Sequence, residues 1–459
     1  LKLKLNDSKA TRWGALVIVA FTMMAAYYVN DVVAPLKTML ETDLAWSSTD
    51  FGFFTGGYSF LNVFFLMLIW GGLILDRFGI RFTGKLATIL MVGGTALEYY
   101  AMTGLAGADA TLFGINEIFG YKTGVFVAFA GYSIFGVGAE VAGITVSKII
   151  AKWFKGKELA TAMGVQVALA RIGSQAGYAV AIPLARAFGI STPVLLGLVL
   201  LLGGMIAFFI FAVMDKKLDK QMEAAAIAAG TEDEEEKFSF KDVKNILVNP
   251  GFWLIALLCV LFYSCVFPFQ KFASELMIIK YGINENVAGT FAGLPALGAL
   301  ILTPVFGGFI DKRGKSASIM LLGSAMLICV HFIYAIPDIN YWLVAIVLMI
   351  ILGIAFSLVP SAMWPAVAKI FPVSQLGTAY ALIFFIQNIG LWGIPTLIGW
   401  VLDAYCISGK KPDGTNMYDY TVPMCIFTGI ACLSLIVALL LKKADKKYGY
   451  KLEEPNIQK

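Results

Sequence analysis

Residues 72–81 read GLILDRFGIR and residues 307–315 read GGFIDKRGK. Both obey the pattern G-x(3)-D-[RK]-x-G, with Gly72, Asp76, Arg77 and Gly79 in the first copy and Gly307, Asp311, Lys312 and Gly314 in the second. Each copy ends one long apolar run and precedes another. The glycines allow a tight turn between two helices. The basic residues suit the edge of an apolar phase, and the aspartate can accept hydrogen bonds from a neighbouring helix N-terminus. A single copy would be an ordinary basic loop. Two copies at equivalent places mark a duplicated architecture and a candidate gating motif at each turn.

Working outward, the composition agrees. The 459 residues are 59% apolar and 14% charged, with a mean hydropathy of +0.80, far too apolar for a water-soluble globule of this size. Apolar runs of membrane-spanning length recur throughout, near 13–39, 48–74, 84–105, 123–151, 158–187, 192–214, 251–279, 286–309, 317–336, 342–370, 376–403 and 421–441. The expectation is an all-α membrane protein with twelve transmembrane helices in two pseudo-symmetric six-helix bundles. An N-terminal bundle occupies 1–215, a linker 216–249 and a C-terminal bundle 250–459. The linker is polar and Ala-rich, its acidic run at 232–236 reads as a solvated face, and 238–248 reads as an amphipathic segment on the membrane surface.

The short loops after the even-numbered spans carry Lys and Arg, including Arg77, Arg81, Lys152, Lys155, Lys216, Lys312 and Lys442. The intervening loops are poor in them, apart from Lys410 and Lys411. The positive-inside rule then places both termini in the cytoplasm. No cleavable signal pattern precedes the first span. The net charge of +5 lies in topology-setting loops and gives no reason to expect nucleic-acid binding. The six cysteines form no CxxC pair and read as small core hydrophobes.

Residues 136–174, GVGAEVAGITVSKIIAKWFKGKELATAMGVQVALARIGS, read as two apolar helices joined by a basic turn. Glu140 and Arg171 lie equally far from that turn, roughly 20 Å of helical rise in each case. Charges this deep are costly and need each other, water or a ligand. Arg171 can hold a carboxylate through two parallel hydrogen bonds. Glu140, between Gly138 and Gly143, can take an amine, carry a proton or pair with Arg171.

The other candidates for a substrate pocket are Tyr28, Gln166, Tyr263, Gln270, Trp364, Gln387 and Asn388. Pro360 and Pro365 suggest a bent tenth span whose freed backbone faces a cavity. Gln387 and Asn388 cannot both face one direction. Asn30 and Asp31 are candidate cavity or interhelix groups, and Glu98 is a candidate proton site. Lys271 and Glu275, one turn apart, are expected to form a local ion pair, and the lone His331 is expected in the core.

The duplicated turn, twelve spans and central loop resemble the major facilitator superfamily across the whole chain. Three stretches are similar to its lysosomal dipeptide transporter subfamily: WFKGKELATAMGVQVALARIGS at 153–174, VFPF at 266–269, and MWPAVAKIFPVSQLGTAYALIFFIQNIGL at 363–391. That resemblance implies facilitated dipeptide transport, with the acid of span four and the arginine of span five holding the peptide's two ends. Glu140 and Arg171 fall on those positions. The chain departs from the animal members in its acidic linker. Its short loops and positive termini fit a bacterial inner membrane.

An enzyme is not expected. There is no Walker A loop, no His/Cys/carboxylate cluster with metal spacing, and no credible Ser-His-Asp set. No cofactor is expected. The partners are a small zwitterionic or carboxylate substrate and the lipid bilayer, and the chain is expected to be a monomer. The leading reading is alternating-access uniport of dipeptides or similar zwitterions. The alternative is an organic-anion antiporter or proton-coupled symporter using Arg171 and Lys271. A receptor or scaffold would call for a large soluble domain, and none is evident.

Overall fold

A computed structural model describes residues 4–455, apart from 108–109, 155–156 and 230–239. The N-terminal half begins with α1 (Lys9–Val32), capped by Ser8, whose hydroxyl accepts from the Thr11 amide. A turn through Pro35 leads to the short α2 (Lys37–Asp43). Next, α3 (Ser48–Phe64) starts with a reciprocal capping box between Ser47 and Asp50. Then come α4 (Met67–Thr103), α5 (Thr123–Trp153), α6 (Leu159–Phe188) and α7 (Thr192–Ala229). The second and third spans do not follow helix boundaries. The chain bends by 58° between α3 and α4, and α4 is itself broken at Gly79, whose φ of 74° only glycine adopts cheaply. Gly314, its counterpart in the second copy, has φ 71°.

The sixth span, α7, runs to Ala229, well past the apolar stretch, because KKLDKQMEAAAIAA is rich in strong helix formers. The acidic run at 232–236 lies outside the described residues. The surface helix α8 (Phe240–Val248) follows, packed on the second half. That half comprises α9 (Pro250–Tyr281), α10 (Glu285–Ala292), α11 (Leu294–Arg313), α12 (Ser316–Ala335), α13 (Trp342–Ile370), α14 (Val373–Tyr405) and α15 (Thr421–Tyr448). Two small hairpins decorate one face: β1 (Glu117–Ile118) with β2 (Tyr121–Lys122), and β3 (Ile407–Lys410) with β4 (Asn416–Tyr418).

Among the described residues nine helical segments are long and apolar enough to cross a membrane, and the bent α3–α4 pair is a tenth candidate. The helix α6 is not one of the nine, since Gln166, Arg171, Ser174, Gln175 and Arg186 lower its hydropathy. Large apolar side chains face outward, Ile206 and Val305 each about 60% exposed, as suits lipid.

Long-range ion pairs brace the basic face. Lys152 of α5 reaches Asp215 at 2.8 Å and Asp219 at 2.5 Å on α7, and Arg81 of α4 reaches Asp219 at 2.7 Å. Arg12 grips Glu158 with three hydrogen bonds of 2.8–3.0 Å, which hold that carboxyl below the usual carboxylate range. Asp76 accepts from Lys148 at 3.1 Å, so in this arrangement the first duplicated turn is tied to α5. The second turn is covered by residues 450–454. The Lys315 and Ser316 amides donate to the carbonyls of Glu453 and Leu452, and the Glu453 carboxylate accepts from the Ser318 amide and hydroxyl. Leu452 is completely buried there.

The two halves meet mainly on the face away from these loops. There α3 packs on α14, α6 on α10 and α11, and the Pro35 turn on α9. Gly52 and Gly399 bring α3 and α14 into backbone contact, since a Cβ on Gly52 would lie 3.0 Å from the Gly399 Cα.

Candidate functional site

Between the halves lies a cavity of about 590 Å³, within the usual range for small-molecule sites. Its wall is built from α1, α3, α5, α6 and the start of α4 on one side and from α9, α13 and α14 on the other. Exposed Ser147 and Val167 lie on its rim toward the basic turn, and the packed face closes the opposite end.

Glu140 and Arg171 both line this cavity, but they are not paired with each other. Glu140 accepts a 2.9 Å hydrogen bond from the Tyr58 hydroxyl. Tyr58 reaches it because Gly136 lets the α3 backbone approach α5 closely. The Arg171 guanidinium lies over two aromatic rings, 5.6 Å from Tyr27 and 4.9 Å from Phe356. Among the described residues neither charge has an ionic partner. The cavity therefore presents one acid and one base with capacity to spare.

At the closed end, Lys271 of α9 crosses to the other half. It donates to the Asn30 carbonyl at 2.6 Å and pairs with Asp31 at 3.2 Å, with the Tyr132 hydroxyl 3.4 Å away. Asp31 also accepts from Ser174 and from the Asn30 amide. The expected Lys271–Glu275 pair does not form. Glu275 instead meets Lys37 at 2.5 Å and Lys411 at 3.6 Å, because its face of α9 points at the first half and the β3–β4 hairpin.

Gln166, Tyr263, Trp364, Gln387 and Asn388 line the cavity as well. Both neighbours on α14 contribute to the wall: Gln387 faces the Cys259 thiol, and the Asn388 amide turns back to the Phe384 carbonyl. Tyr28 and Gln270 do not line it. The Tyr28 hydroxyl donates to the Pro193 carbonyl at 3.2 Å, and the Gln270 amide donates to the Ala292 carbonyl at 3.3 Å. In each case the adjacent residue, Tyr27 or Lys271, faces the cavity instead. Glu98 is fully buried, with neither oxygen hydrogen-bonded, and is not part of the wall. His331 is a packed core residue, its Nε2 3.0 Å from the Cys265 carbonyl and its ring stacked on Phe427.

The sequence alone does not single out Tyr58, Tyr27 or Tyr132, which also line the cavity, as does Phe267 of the VFPF stretch. They sit in aromatic-rich apolar helices, where nothing in the spacing separates a cavity tyrosine from a core one.

A two-half helical bundle closed around a central, charge-lined cavity defines a membrane transporter, and the family model for the Major Facilitator Superfamily matches residues 16–395 and 272–454. The chain belongs to that superfamily, and it is a transporter, not an enzyme. Among curated relatives it is similar to the lysosomal dipeptide transporter MFSD1. The Homo sapiens protein is 29% identical over 454 residues, covering 96% of this chain and 88% of that one. The Danio rerio protein is 26% identical over 441 residues, covering 94% and 86%. Solved structures share the fold at low identity. The peptide transporter POT superposes with a TM-score of 0.68 at 13% identity, over 96% of this chain and 95% of that one. A bacterial homologue of the lysosomal transporter Spinster, inward-facing and occupied, gives 0.67 at 14%, over 98% and 100%.

Proposed function

We propose that this protein moves dipeptides or similar small zwitterions across the membrane as a monomeric uniporter. Glu140 holds the amine, Arg171 holds the carboxylate, and the halves rock around the cavity between them. The observation that carries this reading is the pair of opposite charges on one cavity wall, neither of them ion-paired among the described residues. A dipeptide's two ends are roughly 5–6 Å apart along the backbone. A zwitterion completes both charges at once, whereas a plain anion leaves Glu140 unanswered. That the curated relatives are lysosomal dipeptide transporters supports the same substrate class.

Uniport is supported by Tyr58, whose hydroxyl donates to Glu140 and so stabilises its carboxylate form without a proton. Lys271 is already engaged by Asp31 and the Asn30 carbonyl, which argues against its serving as a free second anion charge. The Lys/Arg bias of the loops supports a cytoplasmic basic face, and the short loops support a bacterial inner membrane.

The test is thermal stabilisation of the purified protein by dipeptides, single amino acids and dicarboxylates. A ligand that binds only the folded state adds about 2.7 kcal/mol at 100 times its dissociation constant. Dipeptides should stabilise, and blocking either terminus should abolish the effect. Stabilisation by dicarboxylates alone would replace this reading with anion exchange or proton symport through Arg171 and Lys271.

A further inference from the structure

At the closed face, four charged side chains from both halves converge in a nearly dry cluster. The first half supplies Lys37 and Glu41, and the second supplies Glu275 and Lys411. Lys37 and Glu275 are each about 1% exposed and Glu41 7%. The ammonium of Lys37 sits 2.5 Å from both Glu41 and Glu275. Lys411, carried in from the β3–β4 hairpin, lies 3.4 Å from Glu41 and 3.6 Å from Glu275. Tyr420 donates to Glu275, Ser48 donates to Glu41 at 3.2 Å, and the Tyr418 ring lies under Lys37. Beside the cluster, Asp403 at the end of α14 caps the first turn of α3 across the same divide, accepting from the Thr49 amide at 2.6 Å.

The charges divide in an informative way. Two of the four contacts, Lys37–Glu275 and Lys411–Glu41, cross between halves. The other two, Lys37–Glu41 and Lys411–Glu275, lie within one half each. We infer that this quartet is the gate of the closed face, built so that separating the halves splits one neutral four-charge cluster into two neutral pairs. Burying a charge without its partner is strongly unfavourable. A gate made of one acid and one base would leave each half with a single unpaired charge to rehydrate whenever it opened. Here each half leaves with its own pair, so the cross-contacts can form and break with no uncompensated charge in either state. The two lysines of the β3–β4 hairpin depart from the positive-inside pattern, and one of them, Lys411, has its place in the gate.

The same logic predicts what breaks the gate. Neutralising one member leaves a net charge in the buried closed cluster, whereas the open state leaves that odd charge in water. Removing one acid and one base together keeps the closed cluster neutral. The readout is the distance between spin labels on Asp43→Cys of α2 and Val287→Cys of α10, both exposed, with exposed Cys329, Cys425 and Cys432 changed to Ser. It needs no substrate, so its outcome is independent of the dipeptide reading.

Glu275→Gln and Lys37→Met should each raise the ratio of long to short distances at least about tenfold. The double variant Lys37→Met with Glu275→Gln, which keeps the Lys411–Glu41 pair, should return toward the parent distribution. Lys411→Met, at the rim of the cluster, should open the gate in the same sense and serves if the buried single variants do not fold. Folded single-charge variants that keep the parent distribution would overturn the inference. So would a double variant that opens more than either single change.

Discussion

Arg171→Ala offers the sharpest test of the clamp. Among the described residues the guanidinium has no ionic partner, and it rests against Tyr27 and Phe356. Each ring contact is worth about 0.5–2 kcal/mol, and losing them is offset by removing an uncompensated charge. The thermal midpoint should therefore move by only a few degrees. Binding should respond quite differently. Truncating one partner of a buried, hydrogen-bonded charge pair costs about 2–5 kcal/mol. That is a roughly 30-fold to several-thousand-fold loss of affinity. The assay compares a dipeptide with its C-terminal amide, by thermal stabilisation and by uptake into liposomes. The parent protein should favour the free carboxylate by that factor, and the variant should take both ligands equally poorly. A folded Arg171→Ala protein that still prefers the free acid would refute the assignment of Arg171 to the carboxylate.

The other expectations concern the remaining parts of the cavity and the turns. Glu140→Gln should abolish stabilisation by zwitterionic dipeptides while sparing any binding of plain carboxylates, read in the same ligand panel. Tyr28→Phe and Gln270→Ala should each cost about 1 kcal/mol of stability, one hydrogen bond's worth, and leave dipeptide affinity unchanged; a tenfold loss of affinity would return these residues to the site. Gly79→Ala should destabilise by about 1–3 kcal/mol through backbone strain alone, since no atom lies near the added methyl. Gly314→Ala should cost more, because its methyl would run into the backbone of Glu453 and Glu454. Denaturation midpoints of the two variants check that order.

The architecture was legible because it rests on quantities that survive without coordinates: apolar run length, loop charge and a repeated turn. The breaks were less so. Nothing in the apolar run that ends α3 announces the bend before α4, and the helix of KKLDKQMEAAAIAA extends past the point where apolarity stops. Within the cavity, a charge inside an apolar run announces itself, which is why Glu140 and Arg171 could be named. Ordinary polar residues announce only that some face of the helix is polar. Successive residues differ by about 100° around a helix, so the sequence points to Tyr28 where Tyr27 faces the cavity, and to Gln270 where Lys271 does. The i, i+4 spacing of Lys271 and Glu275 favoured a local pair, but each found its partner on the other half, at Asp31 and Lys37. Contacts between segments far apart in the chain leave no trace in local periodicity. The Tyr58–Glu140 hydrogen bond is invisible for the same reason.

The cover over the second duplicated turn has a consequence for biosynthesis. Lys315, Ser316 and Ser318 depend on Leu452 and Glu453 for their hydrogen bonds, and those partners are synthesised well over a hundred residues later. At about 5–20 residues per second the ribosome needs roughly 7–30 s to deliver them. During that interval the start of α12 is a helix end with bare amides at the membrane edge. A nascent chain halted before residue 450 should show those amides exchanging with solvent, while the matching turn near Gly79, whose partners Lys148, Asp215 and Asp219 are all made earlier, already holds its ion pairs.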